Sequence, residues 1–176
     1  FPPTERHGLP SFPAVLRLAS EAYRARRDDV AATTSRVTAA LREMAAIAPA
    51  EALPGPEVLD AACAHFRSSY DVRHGGFGGA PKFPHPMGLA FLLRYHARTG
   101  SADALAMATH TLRRMARGGL YDQLGGGFHR YSTDERWLLP HFEKMLYDQA
   151  LLALAYTEAY QATGREPYAR TARETL

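Results

Sequence analysis

The chain has 176 residues, 46% hydrophobic and 22% charged, with a formal net charge of +3, which supplies a sizeable core in one or two domains and excludes a disordered chain. Charge is spread evenly, seven basic against six acidic side chains over residues 1–56 and nine of each over 101–176, so no basic arm or stripe offers itself to nucleic acid. Cys63 is the single cysteine; that excludes an intrachain disulfide or a Cys-x-x-Cys pair and points to a reducing, cytoplasmic address, while no apolar run reaches the roughly twenty residues a bilayer requires, so no membrane partner is expected.

In chain order, Ser11 is placed to cap a helix whose Phe12, Val15, Leu16, Ala19, Ala22 and Tyr23 keep the spacing of one apolar face, with Pro13 in the first turn. Arg24, Arg26 and Arg27 complement the carbonyl end of that helix. Asp28 or Asp29 then opens a second helix with Val30, Val37, Leu41 and Met44 along one side. Residues 49–56 hold three prolines and one glycine and read as a linker. From residue 57 on, Val58, Leu59, Ala62, Phe66 and Tyr70 predict a helix, with Cys63 as a small core residue in it. After a loop over 71–85, Leu89, Phe91, Leu92, Leu93 and Tyr95 predict a helix apolar nearly all round, the mark of an inner helix. Leu105, Ala108, Leu112 and Met115 predict an outer helix with a single apolar stripe. A long loop over 118–139 leads to a further helix expected over 140–162, and Glu166-Pro167 begins another. No strong strand is expected, although residues 128–131 suit a short ribbon. The chain opens without an initiator Met and stops inside a helical stretch; it reads as a fragment.

A glycine-rich hinge occurs twice. Gly75-Gly76-Phe77-Gly78-Gly79 and Gly125-Gly126-Gly127-Phe128 each follow an apolar helical stretch and an Asp, and each unit closes on Thr-Gly, at Thr99-Gly100 and Thr163-Gly164. Helix, Gly-Gly-Phe turn, helix, Thr-Gly stop is the pattern of stacked helix pairs, and it gathers the long loops at one end of the stack. The periodicity fits both an open solenoid and a closed toroid.

Candidates for chemistry concentrate between Asp122 and Asp148. A pocket for a polar substrate would draw on Asp122, Arg130, Tyr131, Asp134, Trp137, Lys144 and Tyr147 for binding, Trp137 being the natural platform for a sugar face. His129, His141, Glu143 and Asp148 are the candidates for proton transfer. On a helix, the spacing of His141, Lys144 and Asp148 would place them on adjoining parts of one face. The competing reading makes Glu143 and Asp148 partners of Arg130 and Arg136 that merely pin the loop. No metal is expected, because His129 and His141 lie twelve apart and His74, His85 and His96 eleven apart, outside ligand motifs. The glycine loops lack the Gly-Lys-Ser/Thr of a nucleotide cradle, and no cofactor is expected.

Residues 75–86, GGFGGAPKFPHP, and 118–156, GGLYDQLGGGFHRYSTDERWLLPHFEKMLYDQALLALAY, closely resemble the thioredoxin-domain-containing, spermatogenesis-associated protein family. The resemblance implies a thioredoxin-like domain followed by a helical toroid of the six-hairpin glycosidase and N-acylglucosamine 2-epimerase type. On that basis the fold class is all-α in the main, a partial (α/α)6 toroid preceded by the C-terminal helix of a thioredoxin-like domain. Residues 1–48 would end the thioredoxin-like domain, 49–56 would link, and 57–176 would form the first hairpins of the toroid. His129, Arg130, Asp134, Trp137, His141, Glu143, Lys144, Tyr147 and Asp148 match the family's signature positions.

The expected partner is a small polar ligand, a sugar, together with the upstream thioredoxin-like domain of the longer protein. The expected function is epimerase- or isomerase-like acid/base chemistry, with His129 or His141 as acid/base and Arg130 and Trp137 holding the substrate. A glycoside hydrolase using two of Asp122, Asp134, Glu143 and Asp148 is one alternative. A noncatalytic binding module serving the attached redox domain is the other.

Overall fold

The computed structural model describes residues 1–46 and 53–176. Of the linker expected over 49–56, residues 49–52 lie outside the described residues. By internal contacts the chain divides into two units, Phe1–Leu53 and Pro54–Leu176.

The first unit is a pair of helices in contact, α1 (Phe12–Ala25) and α2 (Arg27–Ala45). Ser11 Oγ accepts from the amide of Ala14 at 3.3 Å and Pro13 lies in the first turn, as the sequence predicts. Asp28 and Asp29 do not cap α2. The helix already begins at Arg27, and both carboxylates fall inside its first turn, where they face the positive end of the helix. Neither helix contains a buried residue.

The second unit holds α3 (Glu57–Ser69), α4 (Pro86–Thr99), α5 (Ala102–Arg117), α6 (Leu146–Thr163) and α7 (Glu166–Thr175). The inner helices α4 and α6 pack directly on each other; α3 and α5 lie against α4, and α7 against α6. Gly88 lets α4 approach α3 closely, since a Cβ there would stand 2.7 Å from the Phe66 ring. Of the stripe predicted for α5, Ala108, Leu112 and Met115 are buried together with Ala104, Met107 and Thr111, while Leu105 is partly buried. A single core joins Leu89, Leu92, Leu112, Met115, Leu152 and Tyr156 to Phe77, Phe128 and Trp137 from the loops.

The Thr-Gly stops work identically in both repeats. Gly100 and Gly164 take left-handed backbone angles, φ 74° and 65°, and their amides return to His96 O and Tyr160 O at 2.8 and 2.7 Å. Thr99 and Thr163 each donate back to the carbonyl four residues earlier and accept the amide two residues on. These tight links turn α4 into α5 and α6 into α7, so the long loops of both repeats share the opposite end.

One prediction fails here. The helix expected over 140–162 begins only at Leu146, because the backbone of residues 140–143 is held by the 130–132 segment: Ser132 bridges Pro140, and the amides of His141 and Arg130 donate to Tyr131 O and Glu143 O at 2.9 and 2.7 Å. His141, Lys144 and Asp148 therefore do not share a helical face.

Candidate functional site

Both glycine hinges fold into the same hydrogen-bonded loop. In the first, Tyr70 bridges Phe77, the Asp71 amide donates to Gly76 O at 3.0 Å and the Gly75 amide returns to Asp71 O at 2.8 Å. In the second, Tyr121 bridges Phe128, the Asp122 amide donates to Gly127 O at 2.9 Å and the Gly126 amide to Asp122 O at 3.0 Å. Each Asp then gathers three donors. Asp71 accepts from the amides of Arg73 and His74 and from Lys82 Nζ at 2.6 Å; Asp122 accepts from the amides of Leu124 and Gly125 and from Lys144 Nζ at 2.6 Å. Each lysine also donates to the loop's own glycine carbonyl, Gly75 O or Gly126 O, at 2.9 and 2.7 Å. The only two lysines of the chain thus close the two hinges.

The electrostatics follow this geometry. Burial works against ionisation of Asp71, but the Lys82 bond and the amides of His74 and Arg73 outweigh it and hold its pKa at about 2. The Gly125 amide, Lys144 and the Leu124 amide hold Asp122 well below the ordinary carboxylate range. Asp122 and Lys144 are therefore committed to the loop.

Two more of the expected residues are structural in this arrangement. Asp134 accepts from the amides of Arg136, Leu138 and Leu139 and caps its own turn. Trp137, expected as an open platform, is fully buried: its Nε1–H donates to His74 O at 3.0 Å, and Lys82 Nζ sits 5.4 Å from its ring centre. The indole bolts the first loop to the second. Lys82 completes that joint by donating to Glu135 O at 2.8 Å.

The remaining candidates come together on the paired segments 129–132 and 139–143 and the first turn of α6. Arg130 Nη1 donates to Glu143 Oε2 at 3.1 Å, and His141 Nδ1 lies 3.6 Å from the same oxygen. The His141 ring stacks on Tyr131 at 4.8 Å, and Tyr131 stacks on Phe83 of the first loop, also at 4.8 Å. Glu143 and Tyr147 raise the pKa of the Arg130 guanidinium by hydrogen bonding and charge. His129 meets the exposed ring of Phe142 edge-on at 5.2 Å. Burial, aided by Lys144, pushes the His129 imidazole down and favours its neutral form.

Asp148 stands apart. It is 7% exposed on the first turn of α6, and its Oδ2 is buried without a hydrogen-bond partner among the described residues, as are His129 Nδ1 and Arg130 Nε. Burial raises its pKa against the pull of Arg130. An unsatisfied buried carboxyl costs on the order of 1–3 kcal/mol, which marks Asp148, within the field of Arg130, as a candidate for a role beyond packing.

Sequence reasoning missed Asp71, Lys82 and Gln149. The signal for Lys82 lay in the repeat, each Gly loop being followed by the only lysine in its half. Gln149 accepts the Phe128 amide at 2.7 Å and donates to Phe128 O at 2.7 Å, which ties the second loop to α6.

Helical hairpins stacked with their long loops at one end define the class: an (α/α) toroid architecture. A sugar epimerase from a ruminal bacterium matches 65% of this chain with a TM-score of 0.58 at 20% identity, the match covering 32% of that protein. The cellobiose 2-epimerase of Spirochaeta thermophila matches 68% of the chain, TM-score 0.57 at 21% identity, over 34% of its own length. At that identity the likeness establishes the fold. No protein-family model matches the chain. In sequence, spermatogenesis-associated protein 20 of Homo sapiens is 41% identical over 183 residues and that of Mus musculus 41% over 188, each alignment spanning the whole of this chain and 23% of the relative. Over its whole length the chain is thus similar to spermatogenesis-associated protein 20, and it spans about a quarter of the length of these relatives.

Proposed function

We propose that the chain contributes to a toroid that takes a sugar-like small ligand and moves a proton on it, in a cytoplasmic protein that also carries a thioredoxin-like domain. The observation that carries this reading is the buried, unpartnered Asp148 carboxyl next to Arg130, at the loop end of the inner helix α6. Epimerisation beside a carbonyl requires a base to take the C–H proton, a donor to the oxygen that gains charge, and return of a proton to the opposite face. His129, favoured neutral by its burial, is suited to act as the base. Asp148, with its pKa raised, is suited to donate to the carbonyl oxygen. His141, held against Tyr131 and facing Glu143, is the second proton carrier. Arg130 and Tyr147 orient ligand hydroxyls. The fold likeness to a sugar epimerase and a cellobiose 2-epimerase supports the ligand class.

One observation favours hydrolysis as a second reading. Among the four carboxylates first considered, Asp122 and Asp134 are spent on their loops, while Glu143 is ion-paired and Asp148 is pushed toward its acid form. A carboxylate and a carboxylic acid in contrasting environments are what glycoside hydrolysis employs. Saturation-transfer NMR on the intact protein with a panel of mono- and disaccharides tests ligand class. Contacts to a sugar that vanish in Arg130→Ala are expected; no contact with any sugar in the panel would overturn the reading. Release of reducing ends during the same incubations would select hydrolysis over epimerisation.

A further inference from the structure

On the far side of the 122–126 loop, α5 and α7 border a half-open cavity of about 780 Å³ lined by the exposed Arg113, Arg117, Arg165 and Arg170. This is within the range of roughly 300–1,000 Å³ usual for small-molecule sites. Among the described residues Arg113, Arg117 and Arg165 form no ion pair, and Arg170 reaches only Glu174, at 4.0 Å. The two acids that line the cavity are already engaged. Asp122 is held by Lys144 and two amides, and Glu174 accepts the Tyr121 hydroxyl at 2.8 Å. The floor makes no polar demand, because the buried Tyr156 and Tyr168 donate their hydroxyls to Leu112 O and Thr109 O. The loop wall is fixed by Gln123, whose Nε2 donates to Ala116 O and Gly118 O at 3.1 and 3.0 Å.

We propose that this cavity binds a phosphorylated small molecule carrying at least two negative charges, at a site separate from the 129–148 cluster. Guanidinium groups from two facing helices present planar forks that match phosphate oxygens. Both lysines of the chain are consumed in the hinge locks, so the charge available here comes from arginine alone. The four arginines are exposed and converge on one half-open depression between two helices and a loop, which suits a compact polyanion better than a polymer that needs an extended track.

The test is isothermal titration of the intact protein with inorganic pyrophosphate, with orthophosphate alongside, at fixed ionic strength. Saturable binding of one pyrophosphate per protein is expected, with orthophosphate weaker by about tenfold. Arg117→Gln combined with Arg170→Gln should weaken pyrophosphate by about tenfold or more, and Arg117→Lys, which keeps the charge but loses the fork, by several-fold. These side chains are outside the core, and circular dichroism of the variants checks that they fold. Non-saturable heat, or affinity unchanged in the double variant, would overturn the proposal. So would an oligonucleotide that competes better as its length grows, by assigning the arginines to nucleic acid. The readout is binding of a phosphate probe, so its failure leaves the sugar reading of the other site standing, and the converse holds.

Discussion

Asp71, Asp122 and Asp148 are one side chain in contrasting surroundings, the first two held by a lysine and loop amides and the third buried without a partner among the described residues. Asp71 has a depressed pKa, about 2 against an ordinary 3.8, so its contribution is fully present above pH 3.8 and is lost as pH falls toward 2. Allowing for solvent at its partly exposed edge, that is roughly 1–2 kcal/mol. Asp71→Asn should therefore lower stability at pH 7 and flatten the acid limb of the stability curve, as denaturant melts at pH 7 and pH 3 would show; parallel limbs would refute the lock. Asp148 has the opposite sign: burial raises its pKa, so the folded state holds its proton more tightly and ionisation opposes folding as pH rises. Asp148→Asn should leave stability at neutral pH equal or higher while it removes turnover, a separation that combined melting and activity assays would detect. For Trp137, replacement by Phe strands the buried His74 carbonyl and should cost about 1–3 kcal/mol without a specific loss of sugar affinity. A selective loss of affinity at unchanged stability would return Trp137 to the binding surface.

At the level of elements, the helices and both stops were legible because each rests on local chemistry: the Ser11 cap, the α5 stripe and the Thr-Gly turns. The start of α6 was not, because residues 140–143 have sequence neighbours suited to a helix but spatial neighbours in the 130–132 segment that claim their backbone. The same limit applied to the site. The 122–148 stretch was visible as a polar concentration, but which members lock loops and which stay free depends on contacts such as Trp137 with His74, sixty-three residues apart. The hinge glycines offer a direct check on the shared loop. Gly76 has φ +84°, and a Cβ there would lie 2.5 Å from the Trp137 ring, whereas nothing lies within 4 Å of a Cβ at Gly79. Gly76→Ala should cost more than about 2 kcal/mol and Gly79→Ala close to nothing. Equal melting temperatures for the two variants would contradict the close packing of the hinge on the indole.

Across the whole molecule, no described helix is long and apolar enough to cross a membrane. Apolar side chains stay uncovered on the inner-helix side of the second unit: Met87, Leu146 and Leu154 are 74%, 85% and 56% exposed, and Leu59, Phe91 and Leu151 line a groove of about 480 Å³ beside them. Expressed by itself, the 176-residue chain should self-associate through that face, and sedimentation showing a compact monomer across concentrations would refute this. The proposed chemistry is tested most directly by incubating the intact protein with reducing sugars in heavy water and following C2 by NMR. Deuterium incorporation at C2, lost in His129→Gln and in Asp148→Asn but retained in Gly79→Ala, is the result expected. Absence of exchange across the sugar panel, or exchange that survives both site substitutions, would contradict proton transfer at the 129–148 cluster.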